Sequence, residues 1–343
     1  MIVTQDFIYT QIWNWETLEF ILEIISSNKN KIFIYDCQQE FETIDSSKTD
    51  MYVEIGKLAT KNNIKILIVV GSLDFNYSTY PKEFIEVITV VNDPTYWLKV
   101  TVENLRLEQS CSNNFEYTHL FCSFVGRAHT HRCEFIDELY YTGANNIGKH
   151  TWNTINPYYK FEHWEQTVVT SSDDYYTASN NWKVNSIEYK NALLDIVLET
   201  TDTCTFYSEK TFKPILLKKP FIIFGAPNIN TKLKNLGFEL YSEIIDYRFD
   251  SIIDNKKRAN ILCNELIRIS KQKETYLELY NKIKFKLEHN YKHALSLVHR
   301  NNFIPNQVYI KNYEEILKFN EYRYSKDFKL FKETFPFIKN NLI

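Results

Sequence analysis

Between residues 198 and 225 the chain concentrates side chains that could hold an anionic ligand bearing hydroxyl groups; the stretch is LETTDTCTFYSEKTFKPILLKKPFIIFG. Ser208 is a favoured helix cap, and the first turn of a helix offers free N–H groups and partial positive charge. Lys210 and Lys213 add two positive charges, and Glu209 adds a carboxylate that accepts hydrogen bonds from hydroxyls. Because a nucleoside diphosphate presents both ribose and phosphates, this composition predicts a nucleotide-sugar site.

The plain alternative to a nucleotide-sugar site is an ordinary capped helix whose early glutamate complements the helix dipole. The two lysines argue against that alternative. A lysine in the first turn opposes the dipole unless an anion lies there. Lys210 and Lys213 are three residues apart and share one face of the helix. The preceding predicted strand ends at the acidic residue Glu199, and Tyr207 directly precedes the Ser208 cap. We include both. The predicted donor-binding residues are Ser208, Glu209, Lys210, Lys213, Glu199 and Tyr207.

A second cluster of basic residues, Arg127, His129, His131 and Arg132, stands at the start of a predicted helix directly after a predicted strand. The carboxyl ends of strands in an open α/β sheet point into the ligand crevice, and arginine grips phosphate with two parallel hydrogen bonds. The alternative is a solvated basic helix start in which His131 or Arg132 only packs on a neighbour. We place Arg127, His131 and Arg132 among the catalytic residues.

The two clusters together carry a resemblance. The stretch Ser208-Glu209-Lys210-Thr211-Phe212-Lys213-Pro214-Ile215, followed by Lys219-Pro220-Phe221-Ile222 and Gly225, resembles the donor-site segment of GT-B glycosyltransferases, in particular the family-10 α-1,3-fucosyltransferases. Their corresponding element is a Thr-Glu-Lys helix start, an alanine-rich helix and a Pro-Val strand. With FVGRAHTHR (124–132) ahead of it and Leu236-Gly237-Phe238 behind it, the pattern is still more similar to glycosyltransferase-like proteins of large viruses and phages. The resemblance covers roughly residues 119–260 and none of the first 110.

The resemblance implies a role for each cluster. Glu209 would hold the ribose, Lys210 or Lys213 would meet a phosphate, and the basic cluster would stabilise the diphosphate as it leaves. In glycosyl transfer negative charge grows on the phosphate, so cations held there stabilise the transition state more than the ground state. Metal-dependent glycosyltransferases carry an Asp-x-Asp motif, whereas Asp173 and Asp174 are adjacent and their side chains diverge. We therefore expect no metal and no cofactor beyond a UDP- or GDP-linked co-substrate.

An inverting reaction also needs a general base for the acceptor hydroxyl. Asp36 and Asp74 follow predicted strands of the N-terminal sheet and are both candidates, although each also fits a cap or turn. We include Asp36 among the catalytic residues. The chain lacks G-x-S-x-G, H-E-x-x-H, Walker-loop and G-x-G-x-x-G motifs, which argues against other catalytic classes.

Composition indicates a globular chain long enough for two cores: 343 residues, of which 44% are hydrophobic and 24% charged. The net charge of −3 gives no global nucleic-acid signature. Six scattered cysteines without a CxxC pair predict reduced, partly buried thiols. A zinc site is a weaker alternative, because ligands so closely spaced on one helix cannot all face one metal; its ligands would be Cys122, His129, His131 and Cys133. We see no secretory signal and no apolar run of about 20 residues, and expect a cytoplasmic protein without a membrane span.

Strand and helix patterns alternate along the chain and predict an α/β fold with two Rossmann-like domains facing a cleft, the GT-B arrangement. We expect strands at 31–36, 64–70, 84–91, 119–125, 192–199 and 221–224, and helices at 17–25, 51–62, 129–143, 209–217, 230–236 and over most of 252–291. Four regions follow: an acceptor domain (1–150), an irregular segment between domains (151–190), a nucleotide-sugar-binding domain (191–310) and a helical tail (311–343). By analogy with GT-B proteins, the tail returns to the first domain.

These expectations favour a glycosyltransferase that moves a sugar from a nucleotide-sugar donor to a hydroxyl acceptor. The acceptor stays open between a glycan and a hydroxymethylated DNA base, and the acidic net charge argues mildly against DNA. One alternative is a non-catalytic nucleotide- or glycan-binding protein with a degenerate transferase fold, and another is a DNA-binding module. With a viral or phage source, the location would be the host cytoplasm.

Overall fold

The computed structural model describes residues 2–3, 7–11, 18–37, 49–73, 88–92, 94, 96–105, 117–153, 155–170 and 187–299. These residues fall into two compact units, one up to Tyr96 and the other from Trp97 onward. None of the helices within the described ranges combines the length and the low charge that crossing a membrane requires.

The described strands of the first unit form one sheet. Its elements in chain order are β1 (Ile2–Val3), β2 (Phe7–Gln11), α1 (Leu18–Ser26), β3 (Ile32–Cys37), α2 (Thr49–Lys61), β4 (Lys65–Val70) and β5 (Ile88–Asn92). Among the described residues the strands lie in the order β1-β2-β3-β4-β5; β2 to β5 are parallel, and β1 is antiparallel to β2. Helices α1 and α2 pack on each other, as expected when successive right-handed crossovers run one way across a sheet.

The second unit has its own sheet. Its elements are α3 (Tyr96–Asn104), β6 (His119–Ser123), α4 (Thr130–Thr142), β7 (Gly148–His150), α5 (Ile187–Lys190), β8 (Ala192–Leu198), α6 (Glu209–Leu216), β9 (Phe221–Phe224), α7 (Ile229–Asn235), α8 (Asn255–Ser270) and α9 (Tyr276–His299). The described strands lie in the order β7-β6-β8-β9, and all neighbours are parallel. Every residue of β8 is buried, the pattern of a central parallel strand covered on both faces.

The winding of this second sheet reverses between β6 and β8. From β6 the chain runs through α4 to β7 on one side, and from β8 it runs through α6 to β9 on the other. Right-handed crossovers therefore put α4 and α6 on opposite faces; α4 packs on α8, and α6 packs on α9. The carboxyl ends of β6 and β8 form a topological switch point, which is where open α/β sheets bind ligands.

Most predicted elements are confirmed within one to three residues, including the end of α4 at Gly143, whose φ of 77° suits glycine. Residues 119–150, which we assigned to the first domain, lie in the second unit, because β6 hydrogen-bonds to β8. The assignment of the chain's halves to acceptor and donor stays a prediction, and the tail 311–343 lies outside the described residues.

Leu194, fully buried in β8, offers a test of this central strand. Leu194→Ala should lower the free energy of unfolding by about 2–5 kcal/mol, through lost burial and a residual cavity. Leu277→Ala makes the same chemical change at a side chain that is 51% exposed in α9 and should change stability by less than about 0.5 kcal/mol. Denaturant titration of both variants measures the difference; equal effects would contradict a buried β8.

Candidate functional site

Glu199 follows β8 directly, and its side chain is fully buried at the switch point. Its carboxylate accepts the Ser208 N–H at 2.9 Å, the Ser208 and Thr211 hydroxyls at 2.7 and 2.6 Å, and the Thr200 N–H at 3.2 Å. A buried charge needs such partners because leaving it unpaired in the interior is costly. The Glu199 carboxylate therefore fastens the start of α6 to the end of β8.

The backbone carbonyl of Glu199 accepts hydrogen bonds from side chains at the start of α4. Arg132 donates to it through Nε at 3.0 Å and Nη2 at 2.8 Å, and His131 lies 3.0 Å from it through Nε2. Because a carbonyl oxygen only accepts, Nε2 of His131 carries the proton. Arg132 also donates through Nη1 to the Arg127 carbonyl at 3.0 Å. Both side chains are buried, so these contacts fix the position of the helix start.

Gly225, the residue after β9, gives Glu199 the space it needs. A Cβ at this glycine would lie 3.1 Å from the Cβ of Glu199 and 3.2 Å from the Thr201 carbonyl oxygen. Such contacts are tighter than ordinary packing, so a larger residue would press on the side chain that joins the two helix starts.

At the start of α6, the hydrogen-bond donors of Lys210 already have partners within the chain. The Ser208 hydroxyl accepts the Lys210 N–H at 3.3 Å and caps the helix, as the sequence predicts. The Lys210 ammonium donates to the Thr200 hydroxyl at 3.1 Å and to the Ser208 hydroxyl at 3.2 Å, and lies 3.5 Å from a Glu209 carboxylate oxygen. Its side chain keeps 29% of its surface exposed, so the ammonium can also reach a ligand.

The charges of α6 are strongly coupled. Burial acts to raise the pKa of Glu209, but the positive charges of Lys210 and Lys213 outweigh it and hold that pKa below its usual range. Burial lowers the pKa of Lys213 to about 8, against the attraction of Glu209 and of Asp195 in β8. Glu209 is therefore an ionised, partly exposed carboxylate, whereas Lys213 is a buried cation among acidic partners.

His129 lies at the start of α4, in the N-cap position, and within the described residues its side chain makes no capping hydrogen bond. Its ring stacks on that of His131, with centroids 6.1 Å apart and planes 10° from parallel. Burial, followed by the charges of Arg132, Arg127 and Lys210, lowers the pKa of His129 to about 4, against the attraction of Asp202. Groups from the starts of α4 and α6 thus share one electrostatic environment at the switch point.

The structure brings most of the predicted site residues to this one place. Grouped around the ends of β6 and β8 are Arg127, His131, Arg132, Glu199, Ser208, Glu209 and Lys210. Tyr207 is buried in the core, where its hydroxyl donates to the Ile229 carbonyl at 2.8 Å. Asp36 lies in the first unit, one residue before the end of β3; its side chain and all of Asp74 lie outside what the structure describes.

Two further side chains, those of Asp202 and Asn255, belong to the site although the sequence analysis did not single them out. The Asp202 carboxylate lies 3.6 Å from Nδ1 of His131 and accepts a hydrogen bond from Asn255 at the start of α8. Asp202 lies three residues after Glu199 in the same loop, so its position in the sequence could have indicated that it belongs to the site. Asn255 lies more than fifty residues away in sequence, and no local pattern connects it to the site.

The structure gives information on one cluster of potential metal ligands and on the state of the described cysteines. Among the described residues, Asp137, Glu162 and His163 have ligand atoms within 4.8 Å of one another. The Asp137 carboxylate already accepts the N–H groups of Glu162 and His163, and Glu162 pairs with Lys256 at 2.8 Å, contacts that anchor the 155–170 segment. The described thiols are free and buried, as the sequence predicts: Cys122, Cys133, Cys204 and Cys263.

Comparison with known proteins gives one distant structural similarity. No protein-family model matches the chain, and no curated protein matches it. A solved structure described as "Crystal Structure of alpha1,3-Fucosyltransferase" is similar to it with 10% sequence identity and a TM-score of 0.33, over 82% of this chain and 90% of that chain. At that TM-score the similarity carries no argument, and the function proposed below depends on the residues of the site.

Removing the Glu199 carboxylate should destabilise the second unit. Glu199→Ala leaves the buried donors of Ser208 and Thr211 without an acceptor, which should cost about 3 kcal/mol of unfolding free energy. Glu165→Ala, at an exposed glutamate, is the matched control and should change stability little. Chemical denaturation compares the two, and equal stabilities would contradict the role of Glu199 in joining helix and strand.

His131 should make stability depend on pH. Burial lowers its pKa from 6.5 to about 4, so between these values the unfolded chain binds more protons than the folded one. Stability contributed by the neutral ring is therefore full above about pH 6.5 and is lost as the pH falls through 4. His131→Gln keeps a donor for the Glu199 carbonyl and should make the stability profile shallower by up to one proton. Denaturation at several pH values tests this, and unchanged slopes would contradict it.

Proposed function

We propose that this protein is a glycosyltransferase that binds a nucleotide-sugar at the switch point of its second unit and transfers the sugar to a hydroxyl acceptor. The observation that carries the proposal is that the charges of Arg127, from the loop after β6, and of Lys210, from the start of α6, act on the same group, His129, at the ends of two parallel strands. Positive groups held at a switch point are suited to a diphosphate.

The diphosphate is the group that Lys210 and Arg127 bind in this proposal. The Lys210 ammonium is held by Thr200 and Ser208. Arg127 is exposed, and its charge acts on His129 as that of Lys210 does. Cations fixed before the reaction stabilise the charge that grows on the departing diphosphate without a reorganisation cost. Transfer then needs no divalent metal.

The ribose is the group that Glu209 binds in this proposal. Lys210 and Lys213 hold the Glu209 carboxyl in its ionised, hydrogen-bond-accepting form, and 19% of its side chain is exposed. An ionised carboxylate accepts hydrogen bonds from two vicinal hydroxyls and makes stronger bonds than a neutral group does.

Arg132 and His131 act through Glu199. Their donors are directed at its carbonyl, so we assign them the positioning of the α4 start against β8. Asp36 remains our candidate for the general base that deprotonates the acceptor hydroxyl. A glycan is the acceptor that we favour, because the net charge of −3 is a poor match for DNA.

Turnover of sugar nucleotides tests the proposal. The protein is incubated with UDP-, GDP- and CMP-linked sugars, with and without a panel of glycan acceptors and hydroxymethylated DNA, in the presence of EDTA, and nucleotide release and product mass are measured. Acceptor-dependent release from one donor class in EDTA is expected. Binding without release would instead favour the non-catalytic nucleotide-binding protein, and neither binding nor release would overturn the proposal.

The Lys210→Ala variant connects turnover to the site. Loss of the ammonium should lower kcat/KM for the donor by at least about tenfold, since a charge-assisted contact to the phosphate disappears. Lys273→Ala removes the same charge from an exposed lysine between α8 and α9 and should leave turnover unchanged. Thermal unfolding shows whether both variants are folded. Equal turnover by the two variants would remove Lys210 from the donor site.

A further inference from the structure

Tyr158 is almost fully exposed, although the segment that carries it is attached to the second unit at several points. The residue keeps 97% of its surface accessible. Ile155 and Pro157, just before it, are exposed as well, so three apolar residues within four positions face solvent. Exposed apolar residues are ordinary when they are scattered singly, whereas a group of them on an anchored turn indicates an interaction site.

A side-chain amide holds Tyr158 beside the loop that supplies the proposed donor site. Oδ1 of Asn156 accepts the Tyr158 N–H at 2.9 Å, and Nδ2 of the same amide donates to the Ala128 carbonyl at 2.8 Å. Ala128 lies between Arg127 and His129, in the connection from β6 to α4. The turn that carries Tyr158 is therefore fastened to the residue next to Arg127.

Other contacts hold the rest of the 155–170 segment. The Asp137 carboxylate accepts the N–H groups of Glu162 and His163 at 3.1 and 2.8 Å. The Phe161 ring packs edge-to-face on the buried ring of Trp152, with 5.8 Å between the centroids. Because the backbone around Tyr158 is already held in place, a ligand that covers its ring has little chain ordering to offset.

We propose that Tyr158 is the platform on which a sugar ring of the acceptor glycan stacks. This inference rests on the proposed function and adds the location of the acceptor to it. One face of a pyranose ring presents weakly positive C–H groups, whereas the face of an aromatic ring is negative. Stacking also removes both apolar faces from water. A glycan stacked on this turn lies next to the loop of Arg127, where its free hydroxyl can meet the donor sugar.

The size and the charge of this surface favour a saccharide over a protein or a nucleic acid. A tyrosine offers about 150–250 Å² of contact surface, whereas a stable protein interface needs about 800 Å² from each partner. A single-stranded nucleic acid needs a positively charged groove along its stacking platform. The charged residues that follow Tyr158 in the segment, Lys160, Glu162 and Glu165, are exposed and together acidic.

Saccharide binding can be measured without the donor. Saturation-transfer NMR with the methyl glycosides of lactose, maltose, cellobiose and chitobiose shows which of them binds the wild type, and titration gives its Kd. Tyr158→Ala should weaken this binding by about tenfold, because the stacking surface disappears. With the same glycoside as acceptor, its KM should rise by a similar factor, while the KM of the sugar nucleotide stays unchanged.

Two further variants separate the ring of Tyr158 from a general loss of structure. Tyr158→Phe keeps the aromatic face and should bind within about twofold of the wild type, since only an exposed hydroxyl is lost. Tyr141→Ala makes the same change as Tyr158→Ala at a tyrosine that is 60% exposed near the far end of α4, and should leave binding unchanged. Thermal unfolding shows whether each variant is folded.

The outcomes distinguish this inference from the function on which it rests. Glycoside binding that Tyr158→Ala weakens and Tyr158→Phe keeps supports it. Equal binding by the wild type and Tyr158→Ala, binding of none of the glycosides, or tighter binding of an oligothymidine overturns it, while turnover of a sugar nucleotide still supports the proposed function. Glycoside binding at Tyr158 without binding or turnover of any sugar nucleotide overturns the proposed function, and the acceptor role of Tyr158 falls with it.

Discussion

The site depends on Glu199, which accepts hydrogen bonds both through its side-chain carboxylate and through its backbone carbonyl. The Glu199 carboxylate binds the start of α6, while its backbone carbonyl binds Arg132 and His131 at the start of α4. These helices lie on opposite faces of the sheet, and Glu199 stands at the end of the strand between them. Because the residue is fully buried, each of these hydrogen bonds forms in a low-dielectric interior, where losing one is costly.

This arrangement divides the basic residues of the second unit into two groups. Arg132 and Lys213 are buried, and their charges are turned toward a carbonyl or toward acidic side chains. Arg127 and Lys210 keep exposed surface at the same edge of the sheet. A buried cation that already has partners would have to give them up to bind a phosphate, whereas an exposed one only exchanges water. Phosphate binding therefore falls to the exposed pair in our proposal.

The start of α6 illustrates the same division. From the sequence, a Ser-Glu-Lys helix start offers free N–H groups to an anion. In the structure the carboxylate of the chain's own Glu199 accepts the Ser208 N–H at this start, and the Ser208 hydroxyl caps the Lys210 N–H. The start of α4 has no side-chain capping hydrogen bond among the described residues, and His129 is its N-cap. The opportunity for an external anion thus lies between the two helix starts and less at α6 alone.

Local patterns in the sequence were sufficient to predict the α/β class, most strands and helices, the Ser208 cap and the Gly143 stop, because each depends on near neighbours in the chain. They also identified both basic clusters. They could not tell which sheet β6 joins, because a parallel strand has the same apolar pattern in either sheet. They could not show that Arg132 would donate to the backbone carbonyl of Glu199, 67 residues away in sequence. Those features depend on hydrogen bonds between distant segments, which exist only once the strands have paired, and so the tertiary structure alone decided them.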